Sequence, residues 1–278
     1  MIDAEGLKPT KEELALYDDI SELAKALWNK TTGMRGFNTD PKMFSNALFK
    51  RLWSNHKGFT LLWNNHFRVE SDIVLRSGIE AAICISAVYE MREDFLLLMR
   101  QDAAATLQGQ IKMYRDEGVD KMVRDTESAL RLLQKGFPEG TKAARLDWKT
   151  LAEKGGIPQL YFQHRHLSGV SSHVTGLSVM DAMGGEGMDE RQEELRKHSR
   201  KMHLMSMACA TLHGSLKHGG MIDAHNEVAQ AAALIDRMNE LSWDWPGVPE
   251  RSEPDVILEQ DIQEQAAGGN INVAAPDS

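Results

Sequence analysis

Two groups of residues in this 278-residue chain have the types and spacing that chemistry needs. The first is the pair Arg76 and Glu80, four apart, so that both heads lie on one face of a helix whose other positions are Ile, Leu, Ala and Val. They are the only charged residues between Ile73 and Val88. Burying one such charge unpaired costs several kcal/mol, so the two must pair with each other or line a wet pocket. A register-fixing ion pair and a functional site both satisfy that requirement.

The second group is His164-Arg165-His166-Leu167-Ser168-Gly169-Val170-Ser171-Ser172-His173. On a helix His166 and His173 share a face, with Ser168 and Ser172 on an adjacent one. Such a strip offers a proton-transfer group at neutral pH, a cation for an anionic transition state, and hydroxyl donors. A serine hydrolase fits less well, because the chain has no Gly-x-Ser-x-Gly elbow and no strand to hold one.

Other chemistries find no motif. CxxC, HExxH and EF-hand loops are absent, and the pairs His198/His203 and His213/His218 are five apart, which turns each pair to different helix faces. These histidines are expected to be exposed or half-buried, and no metal or other cofactor is called for. Met202, Met205 and Met207 read as core filler. Neither a P-loop nor a strand-borne Gly-x-Gly-x-x-Gly is present. The basic stretch Arg191, Arg196, Lys197, Arg200 and Lys201, interleaved with glutamates, reads as a solvated face and as the best local surface for phosphates.

The elements that must position these groups are helices. With 42% hydrophobic and 26% charged residues, 15 methionines, but only four tyrosines and eight phenylalanines, the composition points to an all-α chain. Thr10-Lys11-Glu12-Glu13 is a capping box that opens a helix over about 11–29, followed by Leu14, Tyr17, Ile20, Ala24 and Leu27 at helical spacing. Asp40-Pro41 starts a second helix reaching about His66, with a break possible at Asn55 to Gly58. A third, over about 68–100, is apolar nearly all round and is expected to be the buried centre of a multi-helix bundle. Helices over about 103–117 and 120–133 meet at Gly118, and a short one around Trp148 sits in a surface connector ended by Gly155-Gly156 and Pro158. Leu160 to about Met183, ended by Gly184 to Gly187, then 189–216 and 222–241 around Gly219-Gly220 complete the set. The organisation expected is an N-terminal helix and linker (1–40), a helical core domain (41–245), and a disordered tail (246–278) where apolar periodicity stops.

A net charge of −9 argues against a generally nucleic-acid-coated surface but leaves room for a local basic patch. Cys84 and Cys209 both fall in apolar helical patterns and fit free thiols in a reducing cytoplasm. The first residues carry no signal-peptide pattern, and no uncharged run nears the roughly 18 residues of a membrane span. The expectation is a soluble cytoplasmic chain with no membrane partner.

Arg76-Ser-Gly-Ile-Glu80 in an apolar helix, then Asp147-Trp148 through Gly155-Gly156, then Tyr161 and Leu167-Ser168 running to His173 resemble a bacterial and phage-associated domain-of-unknown-function family. Its members are all-helical, with an R-S-x-x-E helix and a later Y-R-x-L-S…H segment, and the likeness covers residues 44–183. It implies that Arg76, Glu80, Arg165, Ser168 and His173 form one pattern in space. The chain also resembles, more distantly, HEPN helical domains, many of them metal-independent ribonucleases that place an arginine, a polar residue and a later histidine at a dimer interface. Here Arg165 and His166 are followed by His173, with seven residues between Arg165 and His173, one more than that pattern allows.

Three functions remain open at this point. A ribonuclease effector of stress or phage defence would use His173 as acid or base, Arg165 against the phosphorane charge and Glu80 to orient one of them, in a homodimer, with Arg76, His166, Ser168 and Ser172 binding RNA. A binding protein would use the same residues as a pocket for a small anionic ligand. A helical adaptor would hold them only as a structural polar network.

Overall fold

The computed structural model describes residues 9–34, 40–170, 179 and 190–241. His173, Ser172, the Gly184 to Gly187 terminator and the expected tail lie outside the described residues. Among the described residues there are nine helices and no strand: α1 (Lys11–Gly33), α2 (Asp40–Asn64), α3 (Arg68–Met91), α4 (Glu93–Asp116), α5 (Asp120–Gln134), α6 (Trp148–Lys154), α7 (Pro158–Val170), α8 (Glu190–Met221) and α9 (His225–Glu240). The fold is all-α. No described helix is long and apolar enough to cross a membrane.

Local chemistry starts most of these helices where the spacing predicts. The Thr10 hydroxyl accepts from the Glu13 amide at 3.1 Å, and the Glu13 carboxylate accepts from the Thr10 amide at 2.6 Å, closing the capping box of α1. Asp147 caps α6 by accepting from the Lys149 and Thr150 amides. Gly118, at φ 71°, makes the α4–α5 turn that an L side chain would strain.

Three boundaries differ from the sequence reading. Helix α2 runs unbroken through Asn55 to Gly58. The long central helix divides at Arg92, whose φ of 52° turns the chain between α3 and α4, while its guanidinium lies 4.9 Å from the Tyr89 ring centre. Nothing in Met91-Arg92-Glu93-Asp94 announces that turn, because it has neither glycine nor proline. Gly219 and Gly220 do not end a helix. Both lie inside α8, where a Cβ on Gly219 would stand 3.0 Å from Val228 Cγ2 and one on Gly220 2.7 Å from Tyr89 Cε2. These glycines serve close packing.

Helix α3 lies at the centre, packed against α2, α4, α6, α7 and α8. From Ala81 to Val88 every residue is buried, whereas Ile73 is 46% exposed and Arg76 and Glu80 are half-buried, so the N-terminal half has one wet edge. Met205 and Met207 are fully buried in α8. Helix α1 packs on α8, α9 and α2.

The core also holds two histidines in matching settings. His56 of α2 lies between the hydroxyls of Ser21 (2.8 Å) on α1 and Thr211 (2.9 Å) on α8, stacked between Tyr17 and Trp53. His218 of α8 lies between Thr31 (3.0 Å) on α1 and Ser45 (2.9 Å) on α2, stacked on Phe49. Ser21 and Thr31 each spend their one hydrogen on a backbone carbonyl, Tyr17 and Leu27 respectively, so each must accept from the imidazole. Both rings are therefore Nε2–H tautomers that accept at Nδ1. Burial pushes His56 down to about 4 and His218 to about 3.

Candidate functional site

Pro158 opens α7, where its missing amide hydrogen costs nothing. Leu160, His164 and Leu167 then fall at i, i+4 and i+7 and are the buried residues of that helix, so an imidazole occupies one position of an apolar stripe. That stripe lies on α3, and there the two polar groups of the sequence meet. Nε2 of His164 donates to Oε1 of Glu80 at 3.1 Å, and Nη2 of Arg76 reaches the same oxygen at 3.1 Å. Nε of Arg76 donates to the Ser168 hydroxyl at 3.0 Å, while that hydroxyl gives its own hydrogen to the His164 carbonyl at 2.7 Å.

Because a carboxylate only accepts, His164 carries its proton on Nε2, which leaves Nδ1 as a buried nitrogen with no hydrogen bond. Its ring lies 5.2 Å from that of Trp148 and 6.4 Å from that of Tyr161. Burial pushes the Glu80 carboxyl up, but the His164 hydrogen bond and the charges of Arg76 and Arg51 outweigh it and hold the group below its usual range. Next along α3, Ser77 accepts from Arg51 and from Asn55, both at 3.1 Å. The seam is thus a polar strip joining α2, α3 and α7, in which Nδ1 of His164 is left without a hydrogen bond.

Of the residues expected to form one site, the structure brings Arg76, Glu80 and Ser168 together. Arg165 and His166 are exposed and do not touch Glu80; they occupy the outer side of α7, one and two positions beyond the inward His164. Phe162, 74% exposed, precedes Arg165 by three positions and His166 by four, so the three share that outer side. Beside it, a cleft of about 330 Å³ is lined by Lys149, Glu153, Pro158, Tyr161 and Phe162.

The sequence reading missed a second cluster. Nδ1 of His203 donates to Oδ1 of Asp72 at 2.8 Å, and Nη1 of Arg200 donates to Oδ2 at 2.9 Å. Asp72, Arg200 and His203 are all buried, and the His203 ring lies 6.1 Å from that of His166. The basic stretch of α8 is accordingly no purely solvated face. Arg200 turns inward, and Lys201 pairs with the buried Glu13 at 2.7 Å. Nor are His198, His203 and His218 exposed or half-buried; all three are buried. Two spacings signal the cluster: Asp72 precedes Arg76 by four, and His203 stands on the stripe of Met207, Ala210 and Gly214.

Among the described residues no three His, Cys, Asp or Glu side chains converge as metal ligands. Cys84 and Cys209 are free thiols, each pushed up to about 12 by burial. No family model matches the chain, and no curated protein or solved structure is found to be similar to it.

Proposed function

We propose that this chain is a metal-independent ribonuclease effector of the kind its distant resemblance to HEPN domains implies, with α7 as the element that meets RNA. One observation carries the reading: the outer side of α7 presents an aromatic ring, a guanidinium and an imidazole at Phe162, Arg165 and His166, while the inner side is fastened to α3 through His164 and Ser168. An exposed ring stacks on an unpaired base, and a nearby arginine meets the phosphate. Arg165 stabilises the charge that develops on phosphorus, and His173 transfers a proton. Glu80, which is fastened to Arg76 and His164, is a positioning residue on this reading. Stress or phage defence is the setting such an activity implies, and a homodimer the assembly.

The test is to incubate the purified protein with total RNA in EDTA beside Arg165→Ala and His173→Ala. Degradation by the wild type that either variant loses, at an unchanged melting temperature, is the expected result. Intact RNA in every lane would overturn it. The contacts that link Arg76, Glu80, His164 and Ser168 to one another favour a second reading, in which the network only specifies the fold of an adaptor. Intact RNA would then be accompanied by a loss of stability on seam substitution.

A further inference from the structure

We propose that His203 and His166 are the acid–base pair of this site, acting on single-stranded RNA; the inference rests on the ribonuclease reading above and differs from it in moving both protons through this pair instead of His173. His203 is presented in the manner of a general base. The Asp72 carboxylate can only accept, so the proton of the 2.8 Å contact belongs to Nδ1 of His203 and the lone pair to Nε2. Arg200 holds the other oxygen of Asp72 at 2.9 Å, so the carboxylate cannot rotate away from the ring. That ion pair alone already partners the buried acid, and the fold has no need of an imidazole against it. Nε2 of His203 has no hydrogen-bond partner among the described residues.

The second ring comes from another helix. His166 is exposed on α7, and its centre lies 6.1 Å from that of His203, with the planes 54° apart. The two rings are in tilted contact, so a phosphodiester would bridge their outer edges and not lie between them, presenting one oxygen to each. His203, 5% exposed, forms the floor of the site, and His166 with its neighbour Arg165 forms the rim.

The step balances without water or metal. Nε2 of His203 takes the proton of a ribose 2′-hydroxyl, O2′ bonds to the adjacent phosphorus, and the P–O5′ bond breaks. Protonated His166 gives its proton to the departing O5′. The products are a 2′,3′-cyclic phosphate and a 5′-hydroxyl end, and the imidazolium formed on His203 faces Asp72.

The experiment uses the full chain, EDTA, a 5′-labelled single-stranded oligoribonucleotide and its all-deoxy counterpart. Variants are His203→Asn, whose amide can still donate to Asp72, and His166→Ala at an exposed position. The expected result is cyclic-phosphate ends from RNA only, a loss of about 100-fold or more in each variant at a near-native melting temperature, and partial rescue of His166→Ala by added imidazole. RNA cleavage that His166→Ala retains at the wild-type rate overturns the pair and leaves the ribonuclease reading standing, even where His203→Asn is inactive or unfolded. No cleavage by the wild type overturns both.

Discussion

His164 donates to Glu80 across 3.1 Å, and that bond ties α7 to the central helix at a point where both could otherwise slide on apolar surface. Glu80 is half-buried, so the penalty for removing it is smaller than the ~3–5 kcal/mol of a fully buried pair. Glu80→Ala leaves Arg76 and His164 short of an acceptor and should cost about 2 kcal/mol. A thermal melt should show a fall of about 4–8 °C. Glu80→Gln, which keeps an acceptor oxygen, should lose less. A Glu80→Ala protein that melts with the wild type would mean that the seam does not hold α7.

What was readable beforehand follows from what periodicity encodes. The caps at Thr10 and Asp147, the Gly118 turn and the apolar run of α3 are local signals, and each element lies near its expected place. The partnership of Arg76 and Glu80 with Ser168 and His164 is readable too, because a nearly apolar helix must find its polar partners in the densest polar segment. What stayed hidden depends on pairing between distant segments. Asp72 looks like an ordinary first-turn acid until Arg200 and His203 arrive from 128 and 131 residues away. His164 looked like one histidine among three, although its place on the Leu160 and Leu167 stripe marks it as the one that turns inward.

Acid should destabilise the protein well before its carboxylates titrate. His56 and His218 sit at about 4 and about 3 in the fold, against an unfolded value near 6.5, so the unfolded chain binds more protons over that interval. Their contribution is complete above pH 6.5 and is lost as the pH falls toward the folded values. Each ring removes about 1.4 kcal/mol for every pH unit in that window. Urea unfolding at pH 7, 6 and 5 should show a steep decline, shallower in His218→Gln. Stability that is flat from pH 7 to 5 would mean that the rings are already hydrated.

The direction of the hydrogen bonds at His218 gives a paired test. Ser45→Ala removes the donor to Nδ1, and Thr31→Val removes the acceptor from Nε2–H. Each leaves one buried ring nitrogen unpaired, at a cost of about 1–3 kcal/mol. Because both act through one ring, the double variant should depart from the sum of the two, read by a double-mutant cycle in urea. Strict additivity would show that the hydroxyls do not share the imidazole.

Among the described glycines the tightest surroundings are those of Gly214, where a Cβ would collide with Cδ2 of Leu52 and come within 3.5 Å of Ile85 Cδ1. Two effects oppose each other in Gly214→Ala. Replacing a mid-helix glycine gains about 0.5–1 kcal/mol of backbone entropy. Forcing a methyl against a buried leucine costs about 1–3 kcal/mol, because Leu52 is fully buried and close-packed interiors accommodate added volume poorly. The collision should win, and Gly214→Ala should melt several degrees below the wild type. Leu52→Val removes the atom in the way. Alone it should destabilise by leaving a void, but in combination with Gly214→Ala the added methyl occupies part of that void and the helix gain is recovered. The double variant should therefore be more stable than Gly214→Ala alone. If Leu52→Val instead adds its full cost to that of Gly214→Ala, the two helices do not meet at this point, and the packing of α2 on α8 is different from that described.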